Sequence, residues 1–155
     1  MKIFFYSLLV VHLAGCAVAT GPKFSSFEDL SPNTAEIYII RTEDGTMGSR
    51  IGAMPPITVD GKEIGILKRE GYIKTKVHPG RHIVSTVPNF MTNWDLAQSV
   101  VLQTTGGKRY FVRLHSNSGG TQLRGSMIVK NVVFSFREAT EQEALPFLPT
   151  LSLSE

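Results

Sequence analysis

One residue of this chain is set up for covalent chemistry. Cys16, the only cysteine among 155 residues, directly follows Leu13-Ala14-Gly15 at the end of an apolar run. Small side chains at Ala14 and Gly15 give a peptidase access to the backbone before the cysteine. The thiol can take a diacylglyceryl group, and the amino terminus freed by cleavage can take a further acyl chain such as palmitate. Two or more chains anchor a protein stably where one is marginal. Leu13, Ala14, Gly15 and Cys16 therefore read as a bacterial lipobox, with Cys16 the lipidated residue. A lone cysteine also excludes an intramolecular disulfide and a multi-cysteine metal site.

The residues before the cysteine agree with this reading. Met1-Lys2 is a short basic start, and Ile3 to Leu13 reads IFFYSLLVVHL. These eleven residues are too few to cross a ~30 Å hydrocarbon core as a helix. They fit the ~7–15-residue apolar stretch of an export signal. Residues 1–15 are expected to leave as a signal peptide. A second cleavage reading stays open. Ala17-Val18-Ala19 is an A-x-A site, and cutting after Ala19 would release a soluble periplasmic protein. Alanine rather than aspartate follows Cys16, which points to the outer membrane, facing the periplasm.

The other reactive side chains do not assemble in sequence. His78 and His82 stand four apart, a metal-binding spacing on a helix, but Pro79-Gly80 between them breaks any helix. They read as a turn histidine and a strand histidine, and no metal is expected. His115 has no acidic neighbour in sequence, and Ser126 in Arg124-Gly125-Ser126 is no nucleophile elbow. No strand, glycine loop and helix follow one another to cradle a phosphate. Nothing pairs Glu36, Asp60 and Glu63 as acid and base. The expectation is no enzyme and no cofactor, with a hydrolase the least supported alternative.

Two groups point to recognition instead. Lys108, Arg109, Arg113, Arg124, Lys130 and Arg137 follow one another without an acidic residue, and an acidic tail comes after them. Strand alternation puts Arg109, Phe111, Arg113 and His115 on one face, with Tyr110, Val112 and Leu114 on the other. Two arginines flanking an aromatic ring suit an anionic group such as a lipid headgroup or a glycan acid. The alternative is an outer sheet face crossed by the tail, with Glu141 and Glu143 as partners. Phe90 and Trp94 lie in PNFMTNW, residues 88–94, a loop suited to contact an envelope protein or stack on a sugar. Trp94 could equally plug one end of the domain. Arg41, at the end of an apolar strand, reads as structural. The net charge of +3, or +2 once Lys2 leaves with the signal, is too small a bias to indicate nucleic acid.

These residues need a scaffold, and the pattern supplies one. Glu36 to Arg41 is apolar on both faces, as in a central strand. Asp60-Gly61 between apolar runs signals a hairpin. Tyr72 to Val77 alternates cleanly, a turn at His78 to Arg81 follows, and His82 to Val87 returns. Leu96 to Gln103, Lys108 to His115 and Met127 to Phe136 complete the strands, with turns expected at Gly106-Gly107 and Ser116 to Gly120. Thr140 to Glu143 fits a capping box, and Pro146 keeps any helix short. The fold class is all-β: an antiparallel β-sandwich of about seven or eight strands, with an N-terminal signal helix and a short C-terminal helix or tail.

The order of these elements carries a family resemblance. Ala35 to Arg41, Val59 to Gly65, Gly71-Tyr72, His78 to His82 and Gly107 to Arg113 resemble the bacterial lipoprotein family called domain of unknown function 2846. The resemblance spans about residues 35–138. It implies a small exported β-sandwich similar to PEGA-type surface modules, with no enzyme activity established for the class. PNFMTNW departs from it, being longer and more aromatic than the family's usual short turn. The chain then divides into the signal at 1–15, a lipid-anchored tether at 16–34, the β domain at 35–138 and an acidic tail at 139–155. The expected partners are the lipid bilayer, through acylated Cys16, and an envelope protein or glycan. Phe24, Phe27 and Leu30 could pack the tether onto the domain.

Overall fold

The run Glu36-Ile37-Tyr38-Ile39-Ile40 places large side chains on both sides of an extended backbone, so a strand made from it must be covered twice. The structure, a computed structural model, describes residues 18–42, 54–87, 98–125 and 127–154. Within it Ala35–Arg41 forms β1, every residue of which is buried. The expected signal helix, Leu13, Ala14, Gly15 and Cys16, and the loop residues Phe90 and Trp94 lie outside the described residues.

Eight further strands follow: β2 (Pro56–Val59), β3 (Lys62–Ile66), β4 (Gly71–Val77), β5 (Gly80–Thr86), β6 (Ser99–Thr104), β7 (Arg109–Arg124), β8 (Met127–Ala139) and β9 (Ser152–Leu153). A short helix, α1 (Glu141–Ala144), and a 3-10 turn at Leu148–Thr150 precede β9. One sheet has the order β8-β7-β1-β4-β9, with β1 at its centre, and the other β3-β2-β5-β6. Ile37, Ile39, Ile73, Val112, Leu114 and Phe134 from the first sheet meet Ile57, Val59, Val84 and Leu102 from the second in one buried cluster. This is the all-β sandwich expected. It differs in having nine strands among the described residues, with two of the strand pairings parallel, β1 with β7 and β4 with β9. Between β1 and β7 the chain forms β2, β3, β5 and β6 of the second sheet and β4 of the first, and that long excursion lets β7 run parallel to β1.

Local signals explain most of the turns. Asp60 and Gly61 both have positive φ, 52° and 80°, the two-residue turn that Val59 and Lys62 require to pair. Thr140 caps α1: its side chain accepts from Glu143 N, and Glu143 returns a bond to the Thr140 backbone, a closed capping box. Three turns differ from expectation. The chain does not turn at Ser116 to Gly120; β7 continues through an irregularity at Ser118/Thr121, and the reversal comes at Gly125, φ 62°. Ser116, Asn117, Ser118 and Thr121 pair with β8 instead, so polar composition was a poor guide there. Gly106-Gly107 is not a hairpin turn, because it carries the chain from β6 in one sheet to β7 in the other. The same holds for His78-Pro79, between β4 and β5.

Ile39 is fully buried at the centre of the inter-sheet cluster. Ile39→Ala should cost about 2–5 kcal/mol in a urea unfolding transition. A loss below about 1 kcal/mol would show that this cluster is not the core.

Candidate functional site

The second face of the five-stranded sheet carries the arginines singled out from the sequence. Tyr38 and Ile40 of β1, Tyr72 of β4 and Phe111 of β7 form a second buried cluster there. Two pieces of the chain cover it. The tail contributes Ala144, Leu148 and Leu151, with Phe147 and Leu153 beside them. The segment before β1 contributes Phe24 and Phe27. Phe27 meets Tyr38 edge-on with ring centroids 5.5 Å apart, and Tyr38 stacks on Phe111 at 5.5 Å.

The segment read as a tether is therefore a strap from Val18 onward. It enters beside Arg69, where Ala19 N donates to the Arg69 carbonyl at 2.9 Å. It then runs against β9, with Gly21 N donating to Leu153 O and Phe24 N to Leu151 O. A side chain at Gly21 would collide with the Leu153 carbonyl, so glycine permits this approach. Glu28 holds the strap's middle, 2.5 Å from Lys74 Nζ and 3.7 Å from Lys76 Nζ. The Lys74 hydrogen bond, with the charges of both lysines, holds the Glu28 carboxyl below its usual range. Pro32 then lies against Gly106, and the chain turns into β1.

Both arginines are engaged by this cover. Arg109 stacks over the Phe27 ring at 4.6 Å and donates to the Glu28 carbonyl. Its Nε is 3.4 Å from Oε2 of Glu36, whose side chain is only 2% exposed. Tyr38 Oη donates to the same Glu36 oxygen at 3.1 Å. Burial, and then the Glu36 charge, push the Tyr38 phenol well above its ordinary value, so it stays a donor. Arg113 stacks over Phe147 at 4.5 Å and donates to Thr42 Oγ1 at 3.1 Å. The expected tail carboxylates take a different part: Glu143 pairs with Arg137 at 2.8 Å. Arg109 instead finds its carboxylate on β1.

Arg41 is 1% exposed, donates to Leu67 O at 3.3 Å and stacks over Phe134 at 5.5 Å, a structural placement. His82 does meet a carboxylate. Its Nδ1 is 2.6 Å from Asp60 Oδ2, and its Nε2 is 2.7 Å from the His78 carbonyl oxygen. Both ring nitrogens face acceptors, so the imidazolium satisfies the site best. Neither nitrogen is left to activate a nucleophile. Among the described residues no cluster of three metal-ligating side chains occurs. Sequence reasoning missed the Glu36–Tyr38–Arg109 contact, although the i, i+2 spacing of Glu36 and Tyr38 places both on one strand face.

Two facing sheets, with the outer face of one closed around β1 by the strap and the tail, define a small all-β domain. Residues 31–126, more than half of the chain, match the family described as Protein of unknown function (DUF2846), and the protein belongs to that family. The strap up to Leu30 and α1 lie outside the matched residues. No curated protein and no solved structure matches the chain.

Two predictions separate a structural from a ligand-binding role. Arg109→Met should destabilise the protein by about 3 kcal/mol, because it strands the buried Glu36 charge. Adding Glu36→Gln should recover part of that loss in the same denaturation assay; an additive loss would refute the pairing. The second concerns pH. Burial pulls the His82 pKa down, but the Asp60 carboxylate and the His78 carbonyl raise it by more, and the net direction is upward. The His82 hydrogen bond lowers Asp60. The stabilisation from His82 is thus fully present below about pH 6.5, its unfolded value. It is lost as pH rises through the higher folded value. The stabilisation from Asp60 is lost as pH falls through its own folded value, which lies below the usual aspartate range. His82→Gln should flatten the decline in melting temperature above neutrality; an unchanged slope would refute this assignment.

Proposed function

We propose that this protein is a lipid-anchored lipoprotein of the cell envelope, tethered through acylated Cys16 to the periplasmic face of the outer membrane and serving as a non-enzymatic interaction module. The observation that carries this reading is Leu13-Ala14-Gly15-Cys16 at the end of an eleven-residue apolar run. Membership of a family of unknown function adds no chemistry to it. Among the described residues no helix is long and apolar enough to cross a membrane. The anion-binding reading of Arg109 and Arg113 gains no support from the geometry, since both guanidinium groups stack on rings and donate within the chain.

The test is fatty-acid labelling in cells. The wild-type chain should incorporate labelled palmitate and fractionate with the outer membrane, and Cys16→Ser should abolish both the label and cleavage before residue 16. A wild-type chain that takes no label and is cut after Ala19 would replace the anchor with the soluble alternative.

A further inference from the structure

The proposed anchor lies very close to the folded body. Cys16 precedes Val18 by two residues, and two extended residues reach at most ~7 Å. Val18 is bound where it enters: it bridges Arg69, and Ala19 beside it is 6% exposed. The receiving loop, residues 67–70, is itself fastened on several sides. Leu67 N donates to Pro55 O at 2.9 Å, and Arg41 Nη1 donates to Leu67 O at 3.3 Å. Lys68 N donates to Ser154 Oγ at 3.2 Å, and Ser152 N to Glu70 O at 3.0 Å. Little chain is left between the lipid site and this loop to act as a pivot.

The surface at this end suits a lipid interface. Ile66 and Val87 are each 38% exposed. They sit together because Ile66 pairs with Pro56 and Val87 N donates to Pro56 O at 3.1 Å. Lys68 and Arg69 form no ion pair with a described residue, and Glu70 is the acidic member of the loop. Aliphatic groups with cationic neighbours match the boundary between acyl chains and headgroup phosphates. The opposite end carries the Asp60-Gly61 turn, since β2 runs from Pro56 to Val59 away from this rim.

We propose that the domain is seated directly on the phospholipid surface by this end, with Ile66, Lys68, Arg69 and Val87 against the headgroups and the Asp60-Gly61 turn facing away. The seat rests on the lipid-anchor reading and replaces a swinging tether with a fixed orientation. Acylated Cys16 has no free thiol, so a single introduced cysteine can be labelled selectively. Full-length lipidated protein carrying Lys68→Cys or Lys62→Cys is tagged with a fluorophore. It is then placed in phosphatidylethanolamine–phosphatidylglycerol vesicles that contain a headgroup quencher. Residue 68 should be quenched several-fold more than residue 62. A long Gly-Ser insertion between Ala17 and Val18 should bring the two close to equality. Equal quenching without the insertion, in protein that still carries fatty acid, overturns the seat and leaves the anchor standing. Absence of fatty acid overturns both.

Discussion

β1 must be buried on both faces, and the rest of the structure answers that requirement. Its inner side is met by the second sheet through Ile37 and Ile39. Its outer side, Tyr38 and Ile40, meets no third sheet among the described residues. Left bare, Tyr38, Tyr72 and Phe111 would form a contiguous aromatic patch of the kind that drives association. The strap and the tail close that patch from opposite ends of the chain. They are bonded to each other as well as to the sheet, through Lys23 Nζ donating to Thr150 O and the bridge between Lys23 and Ser152. Cover and domain are one packing unit.

An apolar cover alone could settle in several registers, because burial is not directional. Polar contacts fix this one. Arg109 reaches the Glu28 carbonyl while its Nε faces Glu36, so the strap is located relative to a buried charge on the central strand. Lys74 and Lys76 then hold the Glu28 carboxylate from β4. Exposed ion pairs are worth only ~0–1 kcal/mol. Their contribution here is to position, and the aromatic burial beneath them supplies most of the stabilisation. That division also accounts for the intrachain contacts of the two arginines on this face. The arginines are the polar fastening of an apolar lid.

The parts of this design that were legible in the sequence are those governed by local rules. The two-faced composition of Glu36 to Arg41, the Asp60-Gly61 turn, the alternation of Arg109 to Leu114 and the Thr140–Glu143 capping box all emerge as read, because each is set within a few residues. Non-local pairing was not legible. Nothing in Gly106-Gly107 says that the chain is changing sheets, since a glycine turn serves a hairpin and a crossing equally well. Nothing in Ser116 to Gly120 says that polar residues continue a strand when a partner such as β8 offers backbone bonds. The strap was half legible. Phe24 and Phe27 stood out in a polar segment, but their destination depended on an uncovered face three strands wide that only the assembled sheet reveals.

With both faces of the five-stranded sheet covered around β1, the proposed interaction module has to use what remains. In that sheet Tyr38, Tyr72 and Phe111 are occupied by the chain itself, and Val112 and Leu114 point into the sandwich. The ends are left, together with the outer side of the smaller sheet, where Val101 is 49% exposed, and the far part of the β7–β8 pair, where Leu123 is 77% and Val133 44% exposed. On the proposed seat, one end is taken by the bilayer. The other end is built from the Asp60-Gly61 turn, the His78-Pro79 crossing and the Thr105 to Lys108 turn. His82 ties the first two of these together through Asp60 and the His78 carbonyl. Tyr110 Oη accepts from Thr105 N at 2.8 Å and steadies the third. A module anchored at one pole needs a rigid opposite pole if it is to present a defined surface to a partner across the envelope. These side-chain clamps, reaching from β5 and β7 to hold the turns, are the features of this fold that would provide it.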